Sequence, residues 1–146
     1  MKSTMLLAGL AMVVGPVAAW AGPASDAVAF FYASPGAEFE QANRDRFIDP
    51  ARNVLDRNDE AELCIDFVPS IDAQDFEQSE LDRTLRLDEE VSGQDATVNA
   101  YFNLFRGQPD SERLVIWTLK QVGGRWKVAD IMSDTSQWLL SEFACQ

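Results

Sequence analysis

Acid–base chemistry in this 146-residue chain has to run without imidazole, because the sequence contains no histidine. That absence excludes Ser-His-Asp and Cys-His nucleophilic sites, His-based proton relays and most zinc centres. Carboxylates remain. Asp130, in Arg125-Trp-Lys-Val-Ala-Asp-Ile131, sits among aromatic and aliphatic neighbours, and a carboxylate desolvated by such neighbours becomes the weaker acid that a general base should be. It is the one candidate catalytic residue, with Tyr101, Trp117 and Trp126 as candidate pocket residues beside it. The structural reading competes: a bulge or strand end could turn Asp130 outward, or it could accept backbone hydrogen bonds, while Tyr101 and the tryptophans pack. Asp66, Asp72 and Asp75 are candidate oxygen ligands for a hard cation such as Ca²⁺. Their spacing lacks the alternating ligands and the glycine of an EF-hand loop, which favours a solvated acidic loop, and no metal or cofactor is expected.

The elements that would position these residues begin after a leader. One positive charge at Lys2 precedes an apolar run from Met5 to Ala18 and the small residues Ala19 and Ala21, the pattern of a secretory signal peptide. The run is about 14 residues, short of the roughly 20 that span a bilayer. Cleavage is expected after Ala21, giving residues 1–21 as signal peptide and 22–146 as a single domain, periplasmic or secreted, with no membrane insertion after cleavage. Without Lys2 the chain carries 11 basic and 24 acidic residues, a net charge of −13. Such a field repels nucleic acid and anionic membranes. Most of the excess lies between residues 38 and 95, which hold 18 acids and 6 bases. The only two cysteines, Cys64 and Cys145, allow one intramolecular disulfide in an oxidising compartment.

Along the chain, Ser25 or Asp26 caps an expected helix through Ala27–Ala33, which Pro35-Gly36 stops and which carries Phe30 and Phe31 into the core. Residues 37–48 read as a weak helix or ordered loop, and Asp49-Pro50 starts a short helix over 51–57. From Asn58 to Asp82 there are nine acids and no base, read as an extended connection pinned by Cys64. Alternation then predicts four strands: 83–91, 96–106, and two within 111–132 folded about Gly123-Gly124. Asp134-Thr-Ser-Gln137 resembles a capping box that opens a closing helix.

A two-residue turn at Gly123-Gly124 pairs Val122 with Arg125. Carried along without interruption, that register puts Asp130 opposite Trp117, on the face that also holds Val115, Leu119, Trp126, Val128 and Met132.

Leu119-Lys-Gln-Val-Gly-Gly followed by Arg125-Trp-Lys-Val-Ala-Asp-Ile131 resembles the last hairpin of nuclear-transport-factor-2-like (NTF2-like, cystatin-like α+β) domains. Cys64-Ile-Asp-Phe-Val-Pro with Asp72-Ala-Gln-Asp75 is similar, more narrowly, to a group of small exported bacterial proteins of unknown function in that superfamily. The resemblance implies an α+β fold: N-terminal helices packed on a curved four-stranded antiparallel sheet, with a C-terminal helix, and a cone whose mouth holds a pocket in many relatives. Three readings of function follow. The first is a non-enzymatic binding module taking a small ligand in its cone or a protein partner on its acidic half. The second is an isomerase- or hydrolase-type enzyme using Asp130, and the third an acidic inhibitor or immunity-type protein for a basic partner. An exposed sheet face would also suit a homodimer.

Overall fold

A computed structural model describes residues 22–61 and 64–145. The expected leader, residues 1–21, lies outside the described residues. Helix α1 spans Pro23–Ala33, α2 Ala51–Glu60 and α3 Gln78–Thr84. The strands are β1 Arg86–Ser92, β2 Asp95–Asn103, β3 Glu112–Val122, β4 Arg125–Ser133 and β5 Trp138–Leu139. They form one antiparallel sheet in the order β1-β2-β3-β4-β5. This is an α+β fold with five strands rather than the four expected, the fifth being two residues long.

Alternation explains most of the sheet. Val98, Ala100 and Phe102 of β2 and Val115, Trp117 and Leu119 of β3 are all buried, while the residues between them are half-buried or exposed. The buried set faces the helices. Phe31 of α1 stacks on Trp117 with centroids 5.2 Å apart, and Phe47 lies 5.2 Å from Phe31. Tyr32 accepts a hydrogen bond from the Trp117 indole at 3.0 Å, so the buried nitrogen has a partner. The helix-facing side is thus filled by large rings. Phe30, expected in the core with Phe31, is half-buried and carries the Arg46 guanidinium 3.6 Å over its ring.

Several expected boundaries move. α1 begins at Pro23, ahead of Ser25 and Asp26, so neither caps it. Residues 37–48 hold two 3₁₀ turns, Ala37–Phe39 and Gln41–Arg46. α2 starts as expected but runs on to Glu60, and Asp49 makes no capping bond. α3 occupies a stretch read as extended connection. It has one fully buried apolar residue, Leu81, and is held otherwise by polar pairs: Gln78 Nε2 donates to Asp82 at 2.7 Å and Arg83 pairs with Glu80 at 2.6 Å. Hydrophobic periodicity cannot report such a helix.

The C-terminal helix does not form. Instead Asp134 donates its backbone N–H to Leu114 O at 3.0 Å, Gln137 turns left-handed at φ 57°, and Trp138–Leu139 joins β4. A 3₁₀ turn, Leu140–Glu142, follows. Left-handed backbone at Gln137 stops helical propagation where the capping box would begin it.

The hairpin register also changes. Gly123 and Gly124, at φ 58° and 77°, make the two-residue turn, and Val122 pairs with Arg125. The pairing runs as expected to Leu119 and Val128, then slips by one residue, so that Thr118 faces Asp130 and Trp117 faces Ile131. Ala129 is the extra residue of a β-bulge. At this point Val128 O accepts the N–H of Ile48 at 2.9 Å, so the bulge sits where the chain before α2 docks on the sheet edge.

Candidate interaction surface

The bulge redistributes the expected pocket residues. Trp117 and Val128 remain on the buried, helix-facing side, with Trp126 half-buried against that core. Asp130 and Met132 move to the outer face, which also carries Tyr101, paired with Leu114. Trp117 and Asp130 are therefore not opposite one another, and the four candidates Tyr101, Trp117, Trp126 and Asp130 do not line a common cavity. Asp130 Oδ1 accepts the backbone N–H of Ile131 at 3.0 Å and of Ser141 at 3.1 Å, tying the last 3₁₀ turn to β4. Tyr101 lies under the Arg86 guanidinium, 4.3 Å from its ring centre, in an open groove of about 770 Å³ shared with Arg83, Asn103 and Arg113.

Two titratable side chains of the core, one carboxyl and one phenol, are perturbed by burial. Glu38 is fully buried, and desolvation pushes its carboxyl above the usual range, even though the N–H groups of Ser70 at 2.9 Å and Gly36 at 3.1 Å donate to it. Burial likewise pushes the Tyr32 phenol well above its ordinary value. Both sit behind the sheet rather than at a surface opening.

The irregular loop 64–77 has the most specific polar geometry. Cys64 is joined to Cys145, with Cα atoms 5.4 Å apart, closing a separation of 81 residues. Val68 N donates to Ala73 O at 3.0 Å, and Gln74 Nε2 donates to Asp66 O at 2.8 Å. Asp72, left-handed at φ 57° and 7% exposed, is the knot. Its Oδ2 accepts from Ser133 Oγ at 2.7 Å and Ser136 Oγ at 2.6 Å, while its Oδ1 accepts from Trp138 Nε1 at 2.6 Å. Arg113 Nε lies 3.4 Å from Oδ2 and completes the charge balance. A non-glycine residue at positive φ costs about 1 kcal/mol or more and persists where its surroundings over-determine it. Here one carboxylate holds the loop, β4 and β5 together.

Asp72 thus points into the protein, whereas Asp66 and Asp75 are exposed. The three candidate ligands are not brought together, and the described residues hold no cluster of three or more metal-ligating side chains.

The clamped loop presents an aromatic cluster. Phe67, Trp138 and Phe143 meet with centroids 5.1, 5.8 and 6.1 Å apart, all half-buried. Asp66, Asp75, Glu77, Asp134 and Glu142, on the same two segments, are exposed. Neither residues 58–82 nor residues 128–146 contain a lysine or arginine. The disulfide joins these two base-free stretches, so the segments that supply the aromatic centre carry carboxylates and no bases of their own, while Arg113 at Asp72 and Arg57 beside Cys145 approach from other elements. The acidity was readable from composition. The aromatic cluster was not, since its three members come from positions 67, 138 and 143 and meet only through the Asp72 clamp and the disulfide. Spacing along the chain carries no signal for it.

Among the described residues no helix is long and apolar enough to cross a membrane. No family model and no curated protein matches the chain. Among solved structures, a chain of the crystal structure of the type VI native effector–immunity complex Tae3-Tai3 from Ralstonia pickettii superposes with a TM-score of 0.53 at 17% identity, over 77% of this chain and 94% of that one. At that identity the likeness is one of fold: a small bacterial α+β domain, seen there in a complex of two proteins.

Proposed function

We propose that this chain is an exported, non-enzymatic α+β module of the inhibitor or immunity type, which binds a basic protein through the surface formed by residues 64–77 and 134–145. The observation that carries the reading is the convergence of two base-free segments on a rigid aromatic centre. Aromatic side chains pre-ordered before contact are the chemistry of interface hot spots, and surrounding carboxylates steer a cationic partner and set specificity. The likeness to a chain of an effector–immunity complex supports a role in protein recognition. The finer NTF2-like assignment rests on the Gly-Gly-x-Trp hairpin and the helix-covered antiparallel sheet.

The test is retention of a partner from an extract of the encoding organism on the immobilised chain 22–146. The expected result is a basic protein that the wild-type chain retains at low salt and releases as salt rises. Its retention should fall at least tenfold on a chain carrying Asp66→Lys, Asp75→Lys and Glu142→Lys. Equal retention by both chains, or none by either, contradicts the reading.

A second reading has its own observation, the groove around Tyr101. Arg83, Arg86 and Arg113 gather there beside Asp110 and Glu112, each already set against a carboxylate of its own, Glu80, Asp88 and Asp72, and a small carboxylate ligand would compete for the exposed Arg86. Loss of such binding in Arg86→Ala, with the protein partner still retained, would separate the two sites.

A further inference from the structure

Gly22 has no conformational reason to be glycine. Its φ of −75° and ψ of 177° are open to any residue. The reason lies across the fold, where a Cβ on Gly22 would stand 1.6 Å from Oε1 and 2.9 Å from Oε2 of Glu89. Glu89 belongs to the edge strand β1, and its Oε2 accepts the backbone N–H of Ser25 at 2.7 Å. It thereby satisfies one of the free donors in the first turn of α1, a helix whose own N-cap residue makes no side-chain bond. Oε1 is turned toward Gly22. The Gly22 nitrogen is one bond from the Cα that makes this close approach, which brings it within about 4 Å of Oε1, the range of an ion pair.

Position 22 is also the residue after Ala19-Trp20-Ala21, the small-x-small pattern at the end of the leader. We propose that Ala21–Gly22 is the processing site, and that cleavage there creates an α-ammonium on Gly22 that pairs with Glu89 and clamps the start of α1 to β1. The co-reactant is water, delivered by a leader peptidase. Its hydroxyl adds to the Ala21 carbonyl carbon and the C–N bond breaks. The Gly22 nitrogen takes water's proton and then the proton shed by the new Ala21 carboxyl group, leaving a carboxylate and an ammonium. Before cleavage the same nitrogen is a neutral amide. After it, a full positive charge sits beside a carboxylate that the rest of the fold has already placed, and glycine is the residue that lets it approach. The inference rests on the leader reading and is independent of the partner proposed above.

Intact mass of the chain recovered after export from a bacterial host tests the first half. The mass of residues 22–146 is expected, and any other first residue overturns the proposal. The second half takes four purified proteins: chains beginning at Gly22 or at a retained Ala21, each with Glu89 or with Glu89→Gln. The amide variant keeps an oxygen for the Ser25 N–H and removes only the charge. In the Glu89 background, retaining Ala21 is expected to lower the thermal midpoint by about 3 °C. In the Glu89→Gln background it is expected to leave the midpoint unchanged. No shift in the first background, or an equal shift in both, overturns the clamp.

Discussion

The β3–β4 hairpin and the loop 64–77 are both ordered, and they are ordered by opposite means. The hairpin repeats one device along its length, cross-strand pairing with alternate residues buried, so losing any one contact leaves neighbours that do the same work. The loop is tied to the rest of the fold at separate points: one disulfide, the Glu38 carboxylate that takes the Ser70 N–H, and the Asp72 carboxylate that accepts from Ser133, Ser136 and Trp138. Distributed stabilisation suits a scaffold. Stabilisation at a few points suits a surface whose outward side chains are chosen for something other than folding.

The largest expected effect removes the loop's covalent anchor. Replacing Cys64 and Cys145 together by serine is expected to lower stability by about 4 kcal/mol, given the 81-residue separation, measured by denaturant unfolding. Next, Asp72→Asn takes charge from a buried acceptor of three donors and is expected to cost about 2–3 kcal/mol. Thr118→Ala, at the exposed centre of β3, is expected to stay within about 0.5 kcal/mol. Similar costs for Asp72→Asn and Thr118→Ala would erase the contrast between the two regions.

A pH effect sharpens the comparison from the scaffold side. Because burial raises the folded-state pKa of Glu38, its contribution to stability is fully present below the ordinary carboxylate range and is lost as pH rises through the raised value. Glu38→Gln is expected to flatten that loss in a series of unfolding curves from acid to neutral pH. The smallest expected effect on folding belongs to the loop's exposed acids: Asp66→Lys with Asp75→Lys should change stability by no more than about 0.5 kcal/mol while weakening partner retention at least tenfold.

How much could be read beforehand follows the same division. The sheet was legible because period-2 burial and Gly123-Gly124 are local signals. The bulge at Ala129 was not, since it answers to Ile48 docking on Val128 O, a contact 80 residues away in the chain. That one extra residue carried Asp130 to the outer face and separated it from Trp117. The pairing of Cys64 with Cys145 followed from their count. The role of Asp72 did not, because its donors come from residues 133, 136 and 138, and neither positive φ nor burial is marked by an aspartate among nine acids. The absent C-terminal helix has the same origin: Trp138 is drawn to Asp72 and β4 instead of continuing a helical turn.

The central claim is that the clamped acidic end, and not the sheet's outer face, meets the partner. Amide hydrogen exchange, on the chain 22–146 alone and with the protein it retains, tests this most directly. Slowed exchange on binding is expected in residues 64–77 and 134–145, with residues 97–103 and 114–118 unchanged. Protection confined to those outer-face strands, with the loop exchanging as in the free chain, would contradict the account.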